Sequence, residues 1–150
     1  MDEAANSEDP FNLNRFVEAQ ESDYDRALRE IRAGHKRSHW MWYIFPQIEG
    51  LGPSSTARFY AIKCIEEARA YLTHPILGSR LRECAKAALS VEGKTAEEIF
   101  GFPDVLKLRS CATLFVHVSE PGSVFEQLLQ KYYGGLVDDA TFRLLNEKCE

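Results

Sequence analysis

Between His35 and Gln47 the chain reads His-Lys-Arg-Ser-His-Trp-Met-Trp-Tyr-Ile-Phe-Pro-Gln, and both tryptophans of the 150-residue protein, Trp40 and Trp42, lie within it. Tyr43 and Phe45 add two more rings, while His39 and Gln47 bring an imidazole and an amide to the same stretch. Flat apolar faces with hydrogen-bonding tips suit a pocket for a planar, polar ligand, because the rings give contact area and the tips give orientation. The loop Gly50-Leu51-Gly52-Pro53-Ser54-Ser55 follows. Glycines let a backbone approach a ligand closely, and a helix starting at Ser54 or Ser55 would turn free N–H groups towards an anion. Plain N-capping is the competing role for both serines.

Further polar residues recur at helical spacing. Tyr60, Lys63 and Glu67 stand at i, i+3 and i+7, which places them on one flank of a continuous helix. Lys107, Ser110 and Thr113 or Cys111 recur every three or four positions, a polar strip beside an apolar one that Asp104 precedes. Lys107, Ser110 and Thr113, with His39, Trp40, Trp42, Tyr43, Gln47, Ser55, Tyr60 and Lys63, make up the candidate ligand-binding set. In this reading Trp40 or Trp42 stacks on a ring, Ser55 and its helix start hold an anion, and Lys63 or Lys107 neutralises it. The partner so described is a small phosphorylated, nucleotide-like or ribose-containing molecule. Cleaving a glycosidic bond builds positive charge on the sugar, so a carboxylate must face it, and Glu67 and Asp104 are the candidate catalytic residues.

Several other chemistries have no support. His35 and His39 are four residues apart but have no carboxylate nearby, and Gly34 interrupts the local helix, so no metal site is expected. No P-loop, dinucleotide fingerprint, G-x-S-x-G or H-E-x-x-H occurs, and no cofactor is expected. Cys64, Cys84, Cys111 and Cys149 contain no C-x-x-C pair and read as reduced thiols, three of them within apolar helical patterns.

The elements that must position these residues are helical. Tyr24, Ala27, Leu28 and Ile31 form one apolar stripe that Gly34 ends, after a shorter turn around Phe11 to Val17. Ala57 to Leu72 reads as a continuous helix of roughly four turns. A helix opened by Pro75 carries Leu77, Leu81, Cys84, Ala85 and Ala88, and a capping box at Thr95 to Glu98 starts a short one. Asp104 caps a helix through Val116, Ser123 opens another that Gly134 ends, and Phe142 and Leu145 suit a last one. Trp42–Phe45 and Leu114–Val118 are the only stretches with any strand character. The sequence therefore predicts an all-α fold, a compact array of about six or seven helices, over residues 11–150, behind a disordered acidic tail at 1–10.

Composition agrees with one globular domain: 45% apolar, 27% charged, with a net charge of -5. Such a charge opposes a nucleic-acid backbone or an anionic membrane as the main partner, and no apolar run nears the ~20 residues of a membrane span. The N-terminus lacks the pattern of a signal peptide, so a cytoplasmic or nuclear setting is expected.

His39 to Gln47, Tyr60-Ala61-Ile62, His74-Pro75-Ile76-Leu77-Gly78 and Lys107 to Phe115 together resemble the small, mostly helical family catalogued as domain of unknown function 1810. The resemblance covers nearly the whole chain from about Pro10 onward and implies a single all-α domain without an established activity. Members often carry the label calpastatin, which does not suit this compact, aromatic-rich chain, since calpain inhibition relies on long disordered repeats. Ser55 to Lys63 is also similar to the segment Ser-Glu-His-Tyr-Phe-Gln-Ala-Gln-Lys of small N-glycosidases acting on ADP-ribose-type and riboflavin-precursor substrates. Ser55, Phe59, Ala61 and Lys63 are in register, but Thr56 replaces the glutamate. The resemblance thus implies an N-glycosidase-type hydrolase only if Glu67 or Asp104 takes over that role. A non-catalytic ligand sensor, or a peptide-binding module built on the aromatic segment, is the alternative.

Overall fold

A computed structural model of the protein describes residues 9–148. Within them lie ten helices and no strand, apart from one parallel bridge between Ile48 and Ile62. The helices are α1 (Asn14–Glu21), α2 (Tyr24–Arg32), α3 (Met41–Ile44), α4 (Ser55–Phe59), α5 (Ile65–Thr73), α6 (Leu77–Leu89), α7 (Ala96–Phe100), α8 (Asp104–Val116), α9 (Val124–Tyr133) and α10 (Asp139–Lys148). The all-α class holds, while the number of helices exceeds the six or seven expected. Of the tail expected over residues 1–10, only Asp9 and Pro10 fall within the described residues. The Asp9 carboxylate accepts the backbone N–H groups of Leu13 and Asn14 (2.7 and 3.0 Å), closing the start of α1.

One extra helix arises because the stretch from Ala57 to Leu72 is not continuous. Tyr60 ends α4, and the chain then runs extended through Ile62, whose N–H donates to the Gln47 carbonyl and whose own carbonyl accepts the Glu49 N–H (2.8 Å each). The Arg15 guanidinium fills the gap. It donates to the carbonyls of Phe59 (2.7 Å) and Ala61 (2.8 Å), which the break has freed, and to the Glu67 carboxylate (2.8 Å). A helical apolar pattern says which face is buried, not whether the hydrogen-bond ladder is unbroken; a distant arginine decides that here. Trp42–Ile44 and Leu114–Val116 are helical, so neither stretch with strand character forms a strand.

Two helices form the frame. α6 receives α2, α5 and α9, while α8 receives α5, α7, α9 and α10. Enclosure from several sides explains why every residue from Ser110 to Phe115 is buried, polar ones included. α5 and α6 meet at a corner held by the His74-Pro75-Ile76-Leu77-Gly78 motif. The His74 Nδ1 accepts the N–H groups of Ile76 and Leu77 (3.1 and 3.2 Å), supplying a cap to α6. A Cβ on Gly78 would lie 2.0 Å from the Leu72 carbonyl oxygen, so only glycine lets the two helices close. Among the described residues, no helix is long and apolar enough to cross a membrane.

Candidate ligand site around Trp42 and Lys107

The aromatic segment divides between the interior and the surface. Trp40 is fully enclosed, its ring near Phe45 and Phe100 and its indole N–H donating to Glu30 (2.9 Å). With no free face, Trp40 cannot stack on a ligand, and that part of the expected role is corrected. Tyr43 donates its hydroxyl to Asp23, and its ring lies 5.2 Å from that of Tyr60. Burial and that carboxylate push the Tyr43 phenol above its ordinary range. Trp42 is the half-buried member, on the short helix α3 with one edge beside Gly52.

α8 brings the cation to it. Lys107, one turn into the helix, places its ammonium 3.9 Å from the centroid of the Trp42 ring. Asp104 at the start of α8 holds Lys107 at 3.1 Å and Lys36, from the loop before α3, at 2.8 Å. The Asp104 side chain makes no N-cap hydrogen bond; it serves the two ammonium groups instead. Lys36 in turn lies 4.9 Å over the other indole, that of Trp40. Two lysines, two indoles and one carboxylate therefore form a connected set in which the Lys36 side chain is 7% exposed. Glu30, next to Trp40, brings the second negative charge to this region.

Glu30 carries a charge without an ion-pair partner among the described residues, satisfied by neutral donors. Burial opposes its ionisation, but the Ser38 hydroxyl, the Arg37 and Ser38 N–H groups and the Trp40 indole outweigh burial and bring its carboxyl down from 4.5 to about 2. It thereby folds the loop carrying Lys36 onto α2. Glu30 lies on the same helical face as Ala27, an apolar stripe position, and this charge at a core position was the sequence signal for it.

A small cavity adjoins the other side of Trp42, lined by Gln47, Ile48, Gly50, Leu51, Gly52, Ala57, Tyr60 and Ala61. It encloses about 10 Å3, the room of a single water. Gln47 is buried there, with its backbone tied to Ile62. A Cβ on Gly52 would stand 2.8 Å from that of Ala57, so the glycine allows the loop to fold tightly against α4.

The remaining candidates disperse. His39 is exposed on an irregular loop, as is His35, so the two share no helical face. Ser55 is exposed at the first position of α4, where Ser54 accepts the Ala57 N–H (3.1 Å) and does the capping. Lys63 is exposed; only its backbone N–H meets Glu67 (2.9 Å). Glu67 is 1% exposed and ion-paired with Arg15, outside the lining of the cavity beside Trp42, and the helix break at Tyr60 removes the flank that Glu67 and Tyr60 were expected to share. Ser110 and Thr113 turn inwards rather than towards Lys107. Ser110 donates to Asp138 (3.1 Å), and Thr113 accepts the Asp138 N–H (2.9 Å), which anchors the start of α10. Cys84 and Cys111 are enclosed thiols; burial pushes Cys84 up to about 12 and Cys111 well above its ordinary value, which removes them as nucleophiles. Cys149 lies outside the described residues. Of the candidates, Trp42, Gln47 and Tyr60 share one small cavity, and Trp42, Lys107 and Asp104 form one cluster; Lys36, Glu30, Arg15 and Asp138 were not among them.

Comparison with known proteins gives the arrangement a family. A comparison with curated proteins returned no match. Among solved structures, the fold matches the crystal structure of the conserved hypothetical protein Rv1873 from Mycobacterium tuberculosis with a TM-score of 0.90 and 51% identity, covering 91% of this chain and 98% of that one. The family model described as protein of unknown function (DUF1810) matches residues 10–145, and the chain belongs to that family.

Proposed function

We propose that the protein binds a small phosphorylated, nucleotide-like or ribose-containing ligand at the Trp42–Lys107–Asp104 centre. The observation that carries this reading is the Lys107 ammonium resting 3.9 Å over the Trp42 ring, at the rim of the half-buried cluster. A cation on an aromatic face is held by the ring quadrupole at a cost in hydration, and it is readily exchanged for a ligand's planar group. The ammonium then turns to the ligand's phosphate, while Lys36, enclosed and held at 2.8 Å, keeps the Asp104 carboxylate neutralised behind it. Such a ligand enters by displacing Lys107 from the ring, so a wide preformed cavity is not needed.

The hydrolase form of this reading rests on Asp104. Its carboxylate lies among the residues that would meet the ligand, whereas Glu67 is committed to Arg15 in the interior. Facing a ribose, Asp104 would stabilise the positive charge that develops as an N-glycosidic bond breaks. The test is a panel of adenosine diphosphate ribose, nucleoside monophosphates and sugar phosphates, scored for binding by ligand-observed NMR and for release of free base. Binding without turnover supports the sensor. Turnover that falls by at least about a hundredfold in Asp104→Asn supports the hydrolase. No binding across the panel removes the proposal.

A further inference from the structure

α6 presents a polar groove whose lining shares no residue with the Trp42 centre. Ser79, Arg82, Lys86 and Ser90 recur at three- and four-residue steps along its outer face and line an open cleft of about 950 Å3. Arg32 of α2 forms one wall, and the His74 corner closes one end. Beyond Arg82 and Lys86 the cleft continues into a second depression of about 510 Å3 beside the loop at 118–125.

Charge in this groove favours the cations: Arg32, Arg82 and Lys86 line it against Glu83, with Glu120 in the adjoining depression. Glu83 is occupied by the Tyr24 hydroxyl and by Arg32 at 3.6 Å. Arg82 donates to the Leu72 carbonyl (3.3 Å) but has no carboxylate partner among the described residues, and neither has Lys86. In a chain of net charge -5 this is a local reversal of sign. The shape is linear: the eleven steps along α6 from Ser79 to its cap Ser90 span about 16 Å, the length of about five extended residues. Arg82 and Lys86 are separated by about 6 Å along the axis, close to the roughly 6.8 Å between alternate side chains of an extended peptide. The lining is polar and open, unlike the apolar enclosure typical of small-molecule sites. The one aromatic ring in the lining of this cleft, the half-buried His74 imidazole, is held by the Ile76 and Leu77 N–H groups, so it offers no row of stacking faces for single-stranded nucleic acid.

We infer that this α6 groove binds an extended acidic peptide segment with carboxylates at alternate positions, one meeting Arg82 and the next Lys86. The inference is independent of the Trp42 centre. It is tested by fluorescence polarisation with a labelled Glu-Ala-Glu-Ala-Glu peptide, a Lys-Ala-Lys-Ala-Lys control and a labelled single-stranded oligonucleotide of similar length. Saturable binding of the acidic peptide is expected below about 1 mM protein, falling as salt rises. It should weaken by at least about tenfold in Lys86→Glu, a position whose side chain makes no hydrogen bond or ion pair among the described residues and a variant whose fold is verified by its unfolding curve. It should stay unchanged in Arg58→Glu on α4, which lines neither depression. Arg82→Gln, checked by its unfolding curve because of the Leu72 contact, should weaken binding similarly. Absence of binding, equal loss in Arg58→Glu, or preference for the oligonucleotide would overturn the inference.

Discussion

Glu30 and Glu67 are both enclosed carboxylates, stabilised by different means, and each makes a separate prediction. Glu30 is held by hydrogen bonds from neutral groups, and its carboxyl sits at about 2 against an ordinary 4.5. A folded-state value below the unfolded one contributes stability that is complete above the unfolded value and is lost as pH falls through the folded one. The wild type should therefore lose stability between about pH 4.5 and 2. Glu30→Gln should be less stable at neutral pH and show a shallower decline over that window. Urea midpoints measured against pH check this; parallel curves for the two proteins would contradict it. Glu67 is held by a buried guanidinium instead. Glu67→Gln leaves Arg15 uncompensated inside the fold and should cost about 3–5 kcal/mol in chemical denaturation. A loss under about 1 kcal/mol would mean that the carbonyls of Phe59 and Ala61 satisfy Arg15 without it.

Helices were legible in the sequence wherever local signals decided them. The capping box at Thr95–Glu98 forms as read; that expected at Ser123–Glu126 forms only in half, since Ser123 accepts the Glu126 N–H while the Glu126 carboxylate takes the Gly122 N–H, and Gly134 ends α9 in the left-handed conformation. The break between α4 and α5 was not legible, because its cause is Arg15, more than forty residues away. For the same reason the polar strip on α8 was misassigned. Spacing put Lys107, Ser110 and Thr113 in sequence, but α10 packs on the latter two through Asp138 and leaves only Lys107 towards Trp42. Two substitutions test these junctions. Gly78→Ala forces a Cβ against the Leu72 carbonyl and should destabilise by at least about 2 kcal/mol, separating α5 from α6. Asp138→Ala removes the acceptor for both Thr141 donors and the Ser110 hydroxyl and should cost about 1–2 kcal/mol, with faster amide exchange confined to α10. Exchange spread evenly over the chain would contradict that local role.

At the scale of the whole molecule, α6 and α8 separate two polar regions with different chemistry. One is the aromatic and lysine-rich centre around Trp42; the other is the groove along α6. The all-α architecture could be read from periodicity; the approach of Lys107 to Trp42 could not, since it is set by how α8 packs beside α3. Which indole would face solvent could not be read, because it depends on Glu30 capturing the Trp40 N–H. That division makes the most direct measurement possible, since Trp40 is sealed and Trp42 alone reports on the site. Tryptophan fluorescence should be titrated with adenosine diphosphate ribose in wild type, Trp42→Phe and Lys107→Ala proteins, each verified as folded by circular dichroism. A saturable change below about 1 mM is expected in the wild type, with its disappearance in Trp42→Phe and affinity at least about tenfold weaker in Lys107→Ala. No saturable change in the wild type, or equal affinity with and without the Lys107 ammonium, would contradict a ligand site at Trp42.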